Sequence, residues 1–132
     1  MKRSVSVILP TFNGQKYIAE AIESALAQTL APHEIIIVND GSTDGSENIV
    51  RSYESKVRYF YQENKGVSGA CNAGIAVASD NYVTFLEHNY VWAPEKIACQ
   101  VRCFEGDGQL GMVFSPVLLL EEDKLSKCNI IN

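Results

Sequence analysis

The 132-residue chain has 46% hydrophobic and 20% charged residues, an ordinary globular composition, with enough length for one compact domain over residues 1–132. Sixteen acidic residues against eleven basic ones give a net charge of −5, which argues against a nucleic-acid surface and against a cationic membrane-surface role. The longest apolar runs, Val5 to Pro10 and Val117 to Leu120, fall far short of the roughly 18 residues of a membrane-spanning helix.

Lys2 and Arg3 precede Val5-Ser6-Val7-Ile8-Leu9, a β-rich run that ends at Pro10 and an Asn-Gly turn with no small-residue cleavage site, so it reads as a first strand rather than a leader. From Gln15 to Thr29, Ile18, Ile22 and Leu26 recur at helical spacing beside Ala21 and Ala25, and Pro32 is the expected stop. Glu34 to Val38 is a continuous apolar run, the mark of a strand covered on both faces. Asn39 to Ser46 is a loop dense in turn and cap residues, followed by a helix from Ser46 to Glu54 with Ile49, Val50 and Tyr53 inward. Val57 to Tyr61 reads as a strand, Asn64 to Gly66 as a loop, and Val67 to Ala78 as a helix of small residues suited to close packing on a sheet.

A further strand is expected at Tyr82 to Leu86. Pro94 then opens a helix striped by Ile97, Val101 and Phe104, and Gly111 to Phe114 forms a last strand. The four cysteines, Cys71, Cys99, Cys103 and Cys128, form no Cys-x-x-Cys pair. Cys99 and Cys103, four apart on a helix, have the spacing of a metal pair, but packing thiols in a reducing cytoplasm are the commoner case.

Alternating strands and helices imply a parallel sheet with helices on both faces, and ligands bind such sheets beyond the carboxyl ends of the strands. The residues at those ends are Thr11, Phe12 and Asn13; Asp40, Gly41 and Ser42; Glu63, Asn64 and Lys65; and Glu87, His88, Asn89 and Tyr90. Neither a Gly-x-Gly-x-x-Gly after the first strand nor a P-loop is present. Asp40 could accept hydrogen bonds from a base or ribose or cap the next helix, and Lys65 could neutralise phosphate or stay solvated. Glu87, His88 and Asn89 together carry oxygen and nitrogen groups that could ligate a divalent cation.

Val7 to Gly14, Ile37 to Gly45, Glu63 to Ser68 with Asn72 to Ile75, and Trp92 to Lys96 stand in an order and at intervals that resemble the family-2 glycosyltransferases. The resemblance implies the GT-A fold, a Rossmann-like three-layer α/β/α sandwich with a mainly parallel sheet. It implies a UDP- or GDP-type nucleotide-sugar donor, inverting transfer to an acceptor hydroxyl, and Mn²⁺ or Mg²⁺. Carried over by position, Thr11, Phe12, Asn13, Asp40, Lys65 and Ser68 would bind the nucleotide, and Glu87, His88 and Asn89 would hold the metal.

Two positions depart from the family pattern. Where an Asp-x-Asp motif is usual the chain reads Glu87-His88-Asn89, and Cys71 replaces the arginine of an Ala-Arg-Asn sequence. The resemblance also places the acceptor site and general base in a further stretch of chain, and Glu121 to Lys124 come too early to supply that base. The expectation is a donor-binding half, incomplete for catalysis. The alternative is a non-catalytic relative that binds a partner or forms homo-oligomers through an exposed apolar tail at Val113 to Leu120.

Overall fold

The computed structural model describes residues 4–115 and the backbone of 119–121 and 124–126. The chain divides into two compact units, Met1–Ala98 and Cys99–Asn132. The first holds β1 (Val5–Thr11), α1 (Ile18–Leu26), β2 (Glu34–Asp40), α2 (Ser46–Arg51), β3 (Arg58–Gln62), α3 (Gly66–Val77) and β4 (Tyr82–Phe85). The helix α4 (Lys96–Gly106) starts there and continues into the second unit, which also contains an antiparallel pair, β5 (Leu119–Glu121) with β6 (Lys124–Ser126).

In the first unit four strands form a parallel sheet in the order β3-β2-β1-β4. Right-handed crossovers fix where the helices go. The steps β1 to β2 and β2 to β3 move one way along the sheet, so α1 and α2 share a face. The step β3 to β4 returns past β1, so α3 lies on the opposite face. Packing agrees with this topology: Ile36, Val38 and Ala70 form one buried cluster with Phe60, Ala73 and Val77 against it. Gly74 of α3 lies so close to Ile8 that a Cβ there would collide with the Ile8 side chain. The small-residue helix read from the sequence is thus what lets α3 approach the sheet.

The central strands are dry on both faces, with Val7, Ile8, Leu9, Ile36 and Ile37 fully buried, as their continuous apolar runs predict. β1 runs two residues further than expected, through Pro10 to Thr11. The carbonyl of Ile8 accepts from Leu86 N–H at 2.9 Å, so Pro10, two residues on, turns its missing N–H toward the same side, where β4 has already ended at Phe85. A proline is tolerated because no ladder bond is lost.

Three helices have bounds that differ from those expected. α1 starts only at Ile18 because Gln15 is held in the preceding turn, its N–H donating to Asp44 Oδ2 and its Oε1 accepting from Gly45 N–H. Its end owes nothing to Pro32. Gln28, 6% exposed, turns its amide to the Ala93 carbonyl at 2.8 Å and to Ile97 N–H at 3.0 Å, tying the end of α1 to the start of α4. α2 stops at Arg51 because Ser52 and Tyr53 N–H groups donate three residues back, to Ile49 and Val50. α4 begins at Lys96, two residues past Pro94.

The strand expected at Gly111 to Phe114 does not form. These residues carry no regular secondary structure, with Met112 66% and Phe114 83% exposed, and among the described residues the strands of the second unit are β5 and β6. Glu121 and Lys124 pair in that hairpin. The expectations for Val117, Leu118, Glu122, Asp123 and Cys128 lie outside the described residues. No helix among the described residues is long and apolar enough to cross a membrane.

Candidate functional site

At the carboxyl ends of the strands, on the α3 side, lies a cavity of about 140 Å³. Pro10, Thr11 and Phe12 come from β1 and its turn, Asp40 from β2, and Glu87 and His88 from the chain leaving β4. Asn64, Gly66, Val67 and Ala70, at the start of α3, complete the wall. The sheet's register explains the convergence: β1 and β2 both run past the end of β4, so their last residues and the β4 exit surround one hollow.

Asp40 is the best-anchored group in the wall. It is 3% exposed, and its Oδ1 accepts from Gln62 Nε2 and from the Lys65 backbone N–H, both at 2.8 Å. Both bonds fall on Oδ1, which leaves Oδ2 without a protein partner among the described residues. Asn64 donates from Nδ2 to the Asp40 carbonyl at 3.1 Å, fixing the loop after β3 on the end of β2. Gly41, at φ +78°, turns the chain away here, and a Cβ on it would meet the Asn64 backbone nitrogen at 2.9 Å.

Thr11 is 1% exposed and its hydroxyl oxygen is buried with no hydrogen-bond partner. Leaving such a group unsatisfied costs about 1–3 kcal/mol, so its retention against a cavity suits a site whose ligand supplies the missing bond. A Cβ at Gly14 would lie 2.7 Å from both Thr11 Oγ1 and His88 Cγ, so the hydroxyl and the imidazole meet over a bare glycine.

The loops behind the cavity are clasped together. Asn13, in the left-handed region at φ +49°, donates its N–H to Ser42 Oγ at 3.0 Å and accepts from Thr43 N–H on Oδ1 at 2.8 Å. Asp44 accepts from Gln15 N–H at 3.1 Å, from Ser46 N–H at 2.9 Å and from Ser46 Oγ at 2.5 Å. Burial alone would raise the Asp44 pKa, but the Ser46 and Gln15 bonds outweigh it and hold the carboxyl below its ordinary range.

Of the residues singled out from the sequence, Thr11, Phe12, Asp40, Glu87 and His88 line the cavity. Asn13, Lys65, Ser68 and Asn89 do not. Asn13 works behind the wall, Lys65 contributes its backbone N–H to Asp40 while remaining exposed, and Ser68 and Asn89 are exposed. Gln62 was missed; it stands directly across from Asp40 in the β2–β3 register, a signal visible only once that register is known. Val67 and Ala70 were read only as small helix residues, and they form the apolar wall.

Cys71, one residue past the wall, is half-buried. Burial raises its pKa, the Glu87 charge adds to that, and the side chain is a neutral thiol. Cys99 and Cys103 are exposed and free.

The side chains after β4 do not fit a resident divalent cation. Glu87 is the only carboxylate of the three, Asn89 is neutral, and the His88 ring is seated over Gly14. Among the described residues no three His, Cys, Asp or Glu side chains converge as a metal site. A hard dication held without substrate phosphates needs several oxygen ligands, and the stretch after β4 offers the single carboxylate of Glu87.

The family pattern of glycosyl transferase family 2 matches residues 6–121. An uncharacterized glycosyltransferase of Rickettsia typhi is 48% identical over 98 residues, 74% of this chain and 31% of that protein. One from Nostoc is 36% identical over 124 residues, covering 91% of this chain and 38% of that one. The chain therefore spans well under half the length of these relatives. Among solved structures, residues 1–349 of TarS from S. aureus superpose with a TM-score of 0.73 at 24% identity, covering 90% of this chain and 40% of TarS. A mannosyltransferase from Pyrobaculum calidifontis, solved with GDP-Man and Mn²⁺, gives 0.70 at 25% identity, covering 76% and 32%. TarS has also been solved with UDP-GlcNAc. The four-stranded parallel sheet with helices is the GT-A, Rossmann-like arrangement of these structures, and the chain belongs to glycosyl transferase family 2.

Proposed function

We propose that this chain is the donor-binding part of a glycosyltransferase, holding the nucleotide of a UDP- or GDP-type sugar in the cavity between Thr11, Asp40 and Val67. The observation that carries the reading is Asp40: buried, fixed through Oδ1, and free at Oδ2 to accept from the N–H edge of a base. Around it the chemistry suits a planar, half-polar ligand. Val67 and Ala70 offer an apolar face, Phe12 is 46% exposed at the rim, and the Thr11 hydroxyl is unsatisfied.

Transfer to an acceptor hydroxyl, with inversion at the sugar carbon, requires a base that removes the hydroxyl proton while the nucleoside diphosphate leaves in line. We assign no described carboxylate to that base. Asp40 is committed to the nucleotide, Asp44 to the loop clasp, and Glu87 is the one acid left at the rim. The acceptor and its base belong, in this reading, to chain beyond the part that matches. A reducing cytoplasmic location is supported by the free thiols Cys71, Cys99 and Cys103.

Calorimetric titration of UDP and GDP into the chain tests the assignment. One of the two is expected to bind, and Asp40→Asn is expected to weaken it by roughly tenfold or more, because a charge-assisted bond contributes about 1.5–3 kcal/mol. Unchanged affinity in Asp40→Asn would remove the central element of the reading.

A further inference from the structure

Glu87, His88 and Asn89 stand where the chain leaves β4, and two of them differ from a carboxylate in one respect that matters. A carboxylate only accepts hydrogen bonds, so it addresses a phosphate oxygen, itself only an acceptor, through an intervening cation. An imidazole and a carboxamide each carry N–H donors. His88 lines the cavity, its ring close over Gly14, and Asn89, outside the lining, is the next residue of the chain and is exposed. Neither side chain has a hydrogen-bond partner among the described residues, so both retain their donors for a ligand. Across the same cavity, α3 begins at Gly66 and Val67 with no side-chain cap on Lys65 and no acidic residue in its first turn. Gly66 N–H donates to Asn64 Oδ1 at 3.3 Å, whereas the next N–H groups, of Val67 and Ser68, have no side-chain acceptor among the described residues and favour an anion. The buried, unpartnered Thr11 hydroxyl is a further donor in that wall.

We propose that this corner takes the phosphates of the nucleotide directly, through N–H donation from His88 and Asn89, so that binding is independent of divalent cations. The proposal rests on the donor-binding reading and deepens it. Glu87 has a corresponding role: it is exposed, so water screens its repulsion of the phosphates, and it is tolerated rather than used.

The two ways of holding a diphosphate predict opposite signs at Glu87. UDP and GDP are titrated into the chain by calorimetry, once with EDTA and once with Mn²⁺. The expected result is the same affinity in both, within about twofold. Glu87→Gln is expected to tighten metal-free binding about threefold, since it removes a screened like charge near the phosphates. Asn89→Asp is expected to weaken metal-free binding about tenfold by exchanging a donor for a charge. Both positions are exposed, so neither change threatens the fold. Binding seen only with Mn²⁺, or a Glu87→Gln variant that binds more weakly, overturns the proposal and leaves the donor-binding reading intact. Absence of UDP and GDP binding in both arms overturns that reading itself.

Discussion

The two ends of the parallel sheet use the same kinds of side chain to opposite effect. At the amino ends of the strands Glu34 is enclosed by partners. Its Oε1 accepts from Ser79 N–H at 2.9 Å and lies 2.6 Å from Ser6 Oγ, and its Oε2 meets Arg58 Nη1 at 2.6 Å. Asp80, its side chain 4% exposed, lies 2.8 Å from Ser6 Oγ and 2.8 Å from His33 Nδ1. One serine on β1 is thus shared between two carboxylates, and the network joins β1, β2, β3 and the α3–β4 connection. At the carboxyl ends, Asp40 keeps one oxygen open, Thr11 Oγ1 has no partner, and His88 and Asn89 are uncommitted. Where all groups are satisfied the polar residues hold the strands together; where they are left unsatisfied, they are available to a ligand. Burial of a carboxylate does not distinguish the two cases, whereas its unfilled hydrogen-bonding capacity does.

The comparison is broken most forcefully at Glu34. Burial would raise its pKa, but the bonds from Ser6, Ser79 and Arg58 outweigh burial and lower it from 4.5 to about 2. A carboxyl whose folded pKa lies below its unfolded value stabilises the fold fully above pH 4.5. That contribution is lost as pH falls from there toward 2. Its size is about 3 kcal/mol, from the fall from 4.5 to about 2. Glu34→Gln is expected to remove about 2 kcal/mol or more of stability at neutral pH and to flatten the acid limb of the stability profile. Denaturant melts across pH check both. Nucleotide affinity of the folded fraction is expected to stay unchanged, because the network lies at the far end of the strands. A loss of affinity in Glu34→Gln would show that the two ends are coupled.

The clasp behind the cavity gives a smaller, mixed effect. Asp44→Ala removes acceptors from Gln15 N–H, Ser46 N–H and Ser46 Oγ. A stability loss of about 1–2 kcal/mol is expected, as for an N-terminal cap. Because the same loops carry Phe12 and Gly41, nucleotide binding is expected to weaken several-fold as well. Thermal melts and titrations on one preparation separate the two. An affinity change much larger than the stability change is the signature of loop positioning.

How much of this was legible in the sequence follows from how local each signal is. The β/α alternation and the buried central strands were, because Ile35 to Val38 and Val5 to Leu9 carry them within a few residues. So were Thr11, Asp40, Glu87 and His88, since strand ends can be located before pairing is known. The Glu34 and Asp80 network was not: Ser6 and Asp80 are 74 residues apart, and nothing near either one announces the other. The start of α1 was misplaced for a similar reason, since Gln15 fits a helical stripe until its bonds to the Asp44 loop are known. Pro10 looked like a strand terminator and is not one, because the cost of its missing N–H depends on where a neighbouring strand ends. The unsatisfied state of Thr11 Oγ1 belongs to no residue pattern at all.

Thr11 offers the finest test, because stability and binding should move in opposite directions there. Thr11→Val keeps the branched shape and replaces a buried hydroxyl that has no partner with a methyl group. A polar group buried unsatisfied carries its full desolvation cost, so the valine protein is expected to be more stable by about 1 kcal/mol. A shift of this size raises the melting temperature of a domain this small by several degrees. If the hydroxyl exists for the ligand, nucleotide affinity falls about three- to tenfold in the same protein, the ordinary effect of one lost hydrogen bond. A structural hydroxyl would behave otherwise: its removal would lower stability and leave affinity alone. The sign of the stability change therefore decides whether the unpaired oxygen at the end of β1 marks the binding end of the sheet, and melting the valine protein with and without nucleotide measures it.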